Sequence, residues 1–379
     1  MTGVEDRYEL LLNDRVVKTP LAISAMAGWV DAAYVEARKD HVGAAFIGGY
    51  SVDTPTLLAS REMAAAGREE FLPDDPIQEL DRQLDRLEPT GVVAGVNLRA
   101  ASPESFREAA RALGDRTIYE IDAHCRQEPM IRAGCGEYLL HHTGILEEHV
   151  RALAREGVTV SVKIRAGVAK DDAALGHRLW KAGASVLHVD LMDFGYAKIR
   201  QIRNTSPVFL IANNSMHTFD RVMEMFSHGA DMVSLARRSN PDTLAGIDAA
   251  IARYADEFGW FNAPKQLCRG GDVRALTFCC LPVKECPLIP TLSRLGVSRE
   301  EYIRMKQEAC RGTPLESGEY TCFGSMAWCC KATSPCMLRD SSMQKAGLTT
   351  KEYMRLKHHL SQTIMERIFG GRAEGKQES

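Results

Sequence analysis

The stretch VTVSVKIRAGVAKDDAALGHRLWKAGASVLHVD, from Val158 to Asp190, decides the fold class. It begins with a β-branched run, Val158–Ile164, and passes through an alanine- and leucine-containing segment, Asp171–Ala182, that suits a helix. It ends in a second β-rich run, Ser185–Val189. Two strands joined by a helix form a parallel βα unit, because parallel neighbours need a long crossover and antiparallel ones do not. The same unit recurs in both directions along the chain. Strands are also expected at Leu21–Met26, Ala44–Gly48, Val92–Leu98, Thr117–Ile121, Val208–Ala212 and Met232–Leu235. Helical stretches fall between them at Ile77–Leu87, Ser102–Leu113, Leu146–Arg155, Thr218–Ser227 and Asp242–Glu257. Eight such strands predict an α/β fold, a (β/α)8 TIM barrel. A doubly wound open sheet is the competing arrangement, but Ala25-Met26-Ala27-Gly28-Trp29 after the first strand is not the G-x-G-x-x-G turn that fold uses.

A chain of 379 residues with 45% hydrophobic content can bury a sizeable core, so disorder is not expected. Met1–Asp14 has neither a basic segment nor an apolar one, and no apolar run reaches the roughly 18 residues of a membrane span. A cytoplasmic location without membrane contact is the expectation. Of eleven cysteines only Cys125 and Cys135 precede residue 268, so the chain divides by composition. The boundary is placed near residue 260, giving a barrel over 1–260 and a small, mainly helical, cysteine-rich domain over 261–379. That second part holds an internal repeat. Phe278-Cys279-Cys280 through Cys286 returns fifty positions later as Trp328-Cys329-Cys330 through Cys336. Each copy leads to a similar helix, with Ser298 and Thr349 as N-caps and Glu301 and Glu352 completing capping boxes. The net charge of −3 conceals a basic tail, 18 Lys+Arg against 12 Asp+Glu over 262–379, which suits compensation of metal-bound thiolates or contact with nucleic acid.

Reactive groups of a TIM barrel sit at the C-terminal ends of its strands. Here those ends read Ala25-Met26-Ala27, Asn97, Asp122-Ala123-His124-Cys125-Arg126, Lys163-Ile164-Arg165, His188-Val189-Asp190 and Asn213-Asn214. A lysine in that position is placed to offset the negative charge a reduced flavin develops. Cys125, flanked by His124 and Arg126, has an electropositive setting that should favour its thiolate. Singly, a strand-end methionine, lysine or cysteine is ordinary packing or solvation. Their joint order along the strands is what points to a flavin site. Cys135, between Gly134 and Gly136, reads as a small turn residue.

At these residues the barrel, over roughly 18–245, resembles the tRNA-dihydrouridine synthase family of flavin-dependent enzymes. Pro20 to Asp31 is similar to that family's opening strand, with Ala25-Met26 at its flavin-contacting Pro-Met step. Val158 to Arg165 resembles its lysine-bearing strand, and His188 matches the histidine ending the next one. Asn213 falls on its Asn-Gly step, and Gly229 to Arg237 resembles the stretch leading to its phosphate-binding Gly-Arg. The resemblance implies FMN contacted by Ala25, Met26, Asn97, Lys163 and His188, with Asn213 and the backbone at Ala236-Arg237 holding the phosphate. It places Cys125 on the catalytic cysteine, which protonates one carbon of a uracil ring while hydride reaches the neighbouring carbon. The chain departs from the pattern where Asp122-Ala-His124-Cys125-Arg126 stands for Asn-x-Gly-Cys-Pro, Asn97 for a glutamine and Asn214 for a glycine. Exchanging Asn for Asp adds a charge and removes two donors, which turns the expected substrate away from uridine in tRNA.

In the tail, Cys268, Cys279, Cys280 and Cys286 form one set and Cys322, Cys329, Cys330 and Cys336 another, each able to complete a tetrahedral zinc site or a cubane cluster. Adjacent Cys-Cys pairs follow neither the zinc-knuckle nor the ferredoxin spacing, so zinc and Fe–S both stay open, and Cys310 has no counterpart in the repeat. The duplicated aromatic-Cys-Cys elements resemble the methanogenesis marker protein 9 family, which implies a methanogenic archaeon and a role in or near methane metabolism. The expected function is an FMN-dependent oxidoreductase acting on a small-molecule or nucleobase substrate, with a metal-binding tail and a redox partner protein. The alternatives are a tRNA-modifying dihydrouridine synthase that grips RNA with its basic tail, and a non-catalytic metal-binding assembly or regulatory protein.

Overall fold

The computed structural model describes residues 7–8, 10–258, 260, 296–309, 311–313, 347–348 and 363. The eight tail cysteines assigned to metal, Cys310 and the second repeat helix lie outside the described residues. A short hairpin comes first, β1 (Leu11–Leu12) with β2 (Arg15–Val16), turning at Asn13 and Asp14, whose φ values of 50° and 56° are left-handed. Eight parallel strands then close on themselves. They are β3 (Leu21–Ile23), β4 (Ala44–Ser51), β5 (Val93–Arg99), β6 (Ile118–Ala123), β7 (Thr159–Arg165), β8 (Val186–Asp190), β9 (Phe209–Asn213) and β10 (Met232–Leu235), with β10 pairing back onto β3. The architecture is a (β/α)8 barrel.

Around it run α1 (Ala32–Glu36), α2 (Thr54–Ala65), α3 (Pro76–Leu87), α4 (Pro103–Leu113), α5 (Glu128–Arg132), α6 (Tyr138–His141), α7 (Thr143–Ala154), α8 (Asp172–Ala182), α9 (Tyr196–Arg203), α10 (Phe219–Ser227) and α11 (Pro241–Phe258). Ser102, Asp171 and Thr218, read from sequence as first helical residues, are N-caps whose side chains accept backbone N–H bonds. Helices α2 and α9, and the short α1, α5 and α6, are absent from the sequence reading. The run Thr54–Ala65 has only a faint apolar stripe, and its start is marked instead by the Asp53 cap, which accepts from Thr56 N. The first barrel strand is shorter than expected, because the Met26 carbonyl accepts from Trp29 N and Val30 N and turns the chain into the mouth. The second strand is longer, continuing past a register shift at Gly48/Tyr50.

Inside the barrel, Phe46 and Gly95 share one space: a Cβ on Gly95 would sit 2.4 Å from the Phe46 ring. Full burial of a side chain like Phe46 contributes roughly 1.5–3 kcal/mol. Beyond residue 260, α12 (Arg299–Ala309) buries Tyr302 and Met305 in the same apolar cluster as the barrel residues. Trp260 joins that cluster edge-on to Tyr8, ring centroids 5.2 Å apart. Ser298 caps α12, its Oγ accepting from Glu301 N at 3.1 Å. Among the described residues no helix is long and apolar enough to cross a membrane.

His149, on α7, is fully buried against Phe106 and its ring nitrogens complete no hydrogen bond, although the ring approaches the Ala101 backbone. Burial pushes its pKa down to about 4. A neutral histidine of this kind takes up its proton in the unfolded chain first, so stability declines as pH falls from about 6.5 to about 4. His149→Leu is expected to remove about 3 kcal/mol of that acid-side loss. Urea midpoints at pH 7 and pH 4.5 read it directly, and parallel losses in parent and variant would rule it out.

Candidate active site

The C-terminal ends of the barrel strands enclose a cavity of about 720 Å³, within the range that takes cofactors. Its wall includes Ala25, Met26, Asn97, Cys125, Lys163, Asn213, Ala236 and Arg237. His188 is the exception among the barrel residues nominated from sequence. It is fully buried beneath the cavity rather than on its wall, and both ring nitrogens are committed.

A polar chain crosses the barrel under this floor. Asn213 Nδ2 donates to Ser234 Oγ (2.8 Å), the Ser234 hydroxyl meets His188 Nε2 (2.7 Å), and His188 Nδ1 meets Glu120 Oε2 (2.8 Å). Glu120 also accepts from Ser161 Oγ (3.0 Å) and, on its other oxygen, from Asn97 Nδ2 (2.9 Å). Burial depresses the His188 pKa, so the imidazole is neutral, donating at Nδ1 and accepting at Nε2. Burial alone would raise Glu120, but His188, Lys163 and Asn97 together hold it below the usual carboxylate range. Lys163 reaches across from β7 to the opposite strand's end, with Nζ donating to Ser24 Oγ (2.8 Å) and the Ala25 carbonyl (3.2 Å). It is 2% exposed, and among the described residues no carboxylate stands within ion-pair distance of it.

Cys125 sits at the turn after β6, and Asp122 builds that turn. One Asp122 oxygen accepts from the backbone N–H of His124 and of Cys125, both at 3.0 Å. The other accepts from Arg99 Nε at 3.1 Å. Burial would raise the Asp122 pKa, yet the His124 bonds and the Arg99 charge hold it far below the usual range. Gly136, at φ 66°, lets the chain pass over this turn, since a Cβ there would fall 2.2 Å from the Cys125 carbonyl oxygen. The expected thiolate at Cys125 is corrected by the structure. Burial pushes the thiol up, Arg99 only partly opposes it, and Asp122 adds to it, while Arg126 is exposed. Cys125 is held as a thiol. Cys135, fully buried nearby, is also pushed up, for the same first reason.

On the opposite side, the loops after β9 and β10 contribute Asn214, Ser215, Ala236, Arg237 and Arg238 to the wall. Loops after the seventh and eighth strands are where this fold places phosphate groups. Asn214 has φ 86°, the left-handed conformation a glycine would take, and asparagine is among the few other residues that tolerate it. Arg237 and Arg238 are exposed and form no ion pair among the described residues. Among the described residues no group of three or more His, Cys, Asp or Glu is arranged to hold a metal.

Uncharacterized protein MJ0115 of Methanocaldococcus jannaschii is 50% identical to this chain over 107 residues, 28% of the chain and 69% of that protein. The chain belongs to the family of MJ0115. Uncharacterized protein MJ0144 of the same organism is 26% identical over 238 residues, 60% of this chain and 89% of that protein. No family model matches the chain. Among solved structures, that of TcOYE with pHBA superposes with a TM-score of 0.45 at 11% identity, covering 64% of this chain and 91% of that one.

For this member of the MJ0115 family, sequence reasoning missed Ser24, Glu120, Ser234, Arg99 and Glu70, all of which hold the wall residues in place. Most carried a signal. Alternate residues of a strand face one side, and the polar pairs Asn97/Arg99, Glu120/Asp122, Lys163/Arg165 and His188/Asp190 each repeat at that spacing inside buried strands.

Proposed function

We propose that the barrel binds FMN and catalyses a flavin-dependent oxidation or reduction, with Cys125 handling a proton. The observation that carries this reading is the pairing, on one cavity, of a buried thiol and a buried lysine that has no carboxylate within ion-pair distance among the described residues. The residues present fit the cofactor. An ammonium has three donors and Lys163 uses two on Ser24 and Ala25, which leaves one for an anionic ring system. Asn213 and the backbone at Ala236-Arg237 would hold the phosphate, and Ala25 and Met26 would line the ring. FMN supplies hydride transfer when bound. The chain's own part is to hold it with Lys163 and Asn213, to keep Asn97 oriented through Glu120 and Lys163 through Ser24 and the Ala25 carbonyl, and to release a proton from the Cys125 sulfur.

Within that class, the reading closest to the residues is a relative of dihydrouridine synthases acting on a small molecule or nucleobase, with zinc or Fe–S at the two tail cysteine sets and a redox partner protein. A role in methanogen metabolism is part of the same proposal; both relatives come from Methanocaldococcus jannaschii. An anaerobic absorption spectrum with metal analysis on freshly purified protein tests the whole proposal. Twin flavin bands with iron or zinc are expected. Lack of a flavin band after FMN reconstitution would sink the oxidoreductase and leave a binding or assembly module.

One observation favours a nucleic-acid substrate: Trp29, 53% exposed, stands at the mouth with the exposed arginines Arg126, Arg237 and Arg238. Aromatic and arginine groups together suit bases and phosphates. On that reading tRNA affinity falls steeply with salt, and weak or salt-insensitive binding would dismiss it.

A further inference from the structure

Segment 67–75 connects α2 to α3 and brings Arg68 and Glu69 to the cavity wall. Between them and the core sits Glu70, whose side chain is fully buried. Its Oε2 accepts from Arg99 Nη1 at 2.6 Å, and its Oε1 accepts from Arg68 Nε at 2.8 Å. Arg99, 3% exposed, uses its Nε on Asp122, the carboxylate that builds the Cys125 turn. Next to Glu70, Phe71 stacks on Tyr50 with ring centroids 4.7 Å apart. The segment is therefore tied to the thiol turn by a buried run of three charges, Glu70, Arg99 and Asp122.

We propose that Glu70 is a positioning residue for Cys125: gripping Arg99, it fixes segment 67–75 to the thiol turn and leaves two carboxylates to one guanidinium beside the sulfur. The proposal rests on the reading of Cys125 as a proton donor. The groups facing the thiol are Arg99 on β5, Asp122 on β6, Arg68 on the segment, the Gln127 backbone N–H and, more remotely, Cys135. Of these Arg99 is the cation that would draw the proton off, and Glu70 and Asp122 share its charge. Breaking a buried pair by removing one partner leaves the other charge uncompensated. Without Glu70, the Arg99 charge falls more fully on Asp122 and on the sulfur, and the thiolate gains.

The test is alkylation of Cys125 by iodoacetamide in the full-length protein across a pH series, with labelling assigned by peptide mass mapping. Only the thiolate reacts, so the profile follows ionisation and requires no flavin. Glu70→Gln is expected to label about tenfold faster near pH 7.5, with the profile displaced to lower pH. Glu70→Asp restores the carboxylate and should return the profile toward the parent. Arg68→Met removes a half-exposed cation that also pairs with Glu70, and should displace the profile the opposite way. Phe71→Ala loosens the segment without touching a charge, so it should alter the rate equally at every pH. Profiles of Glu70→Gln and Arg68→Met that superimpose on the parent would overturn the proposal. So would a Phe71→Ala displacement equal to that of Glu70→Gln, which would assign the effect to loosening. A parent protein whose Cys125 never labels while folded would instead defeat the proton-donor reading itself.

Discussion

Cys125→Ala is expected to leave FMN bound while lowering turnover by about 10²–10⁴-fold, the usual contribution of a positioned general acid. The sulfur touches the cavity yet only 5% of the residue is exposed, and the wall residues that would hold the cofactor lie on other strands. Removing one small side chain should therefore cost chemistry and spare binding. A simple enone such as 2-cyclohexenone is a suitable probe, because its reduction needs hydride at one carbon and a proton at the next. The measurement is the rate at which dithionite-reduced, FMN-loaded protein is reoxidised by the enone without oxygen, beside flavin content after desalting. The sign of the pH dependence separates two roles. Burial raises the Cys125 pKa, so a thiol acting as acid gives a rate that is high at neutral pH and falls as the solution becomes alkaline. A thiolate nucleophile would give the reverse. Loss of flavin from Cys125→Ala would contradict the role, and an unchanged rate would place the proton source elsewhere.

Much of the barrel was legible because its strands are buried on both faces and so read as β-rich runs, from the strand at Leu21 to the one at Met232. What the runs do not encode is where a strand hands over to its loop. Ala25 and Met26 belong by composition to the first strand, yet the Met26 carbonyl closes a turn and lifts them to the mouth. Helix α2 escaped because a cap, rather than an apolar stripe, announces it. The wall residues could be nominated from strand ends, but their ionisation could not. Cys125 lies between a histidine and an arginine in sequence, whereas in space Asp122 and burial decide its state. Likewise His188 occupies a strand-end position but is drawn below the floor by Glu120 and Ser234, residues far from it in the chain. Glu70 was out of reach of such reasoning, since nothing local distinguishes it from Glu69, and only the fold turns one inward to Arg99.

Glu120→Ala is expected to destabilise the protein by about 3–5 kcal/mol, the range for removing one partner of a buried charged network. Glu120 is fully buried and accepts from three side chains, Asn97, Ser161 and His188. Alanine strands all three donors in the barrel interior and removes a negative charge that interacts with Lys163. Glu120→Gln keeps the shape but substitutes donors for one of the accepting oxygens, so it should lose less than alanine. Urea unfolding at pH 7, followed by far-UV circular dichroism, gives the midpoints. The acid limb supplies an independent sign. Because its folded pKa is depressed, Glu120 contributes stability that is present above its unfolded pKa and is lost as pH falls through the folded one. His188, also depressed, contributes above its unfolded pKa and loses that contribution below it. Both effects weaken the parent toward acid. The alanine variant loses the first but also the carboxylate that raises His188, so it should keep the decline across the histidine range and lose only the part below the unfolded carboxylate pKa. A loss at pH 7 under about 1 kcal/mol, the value of an exposed pair, would mean that water reaches the floor and that Asn97 and His188 are not held by it.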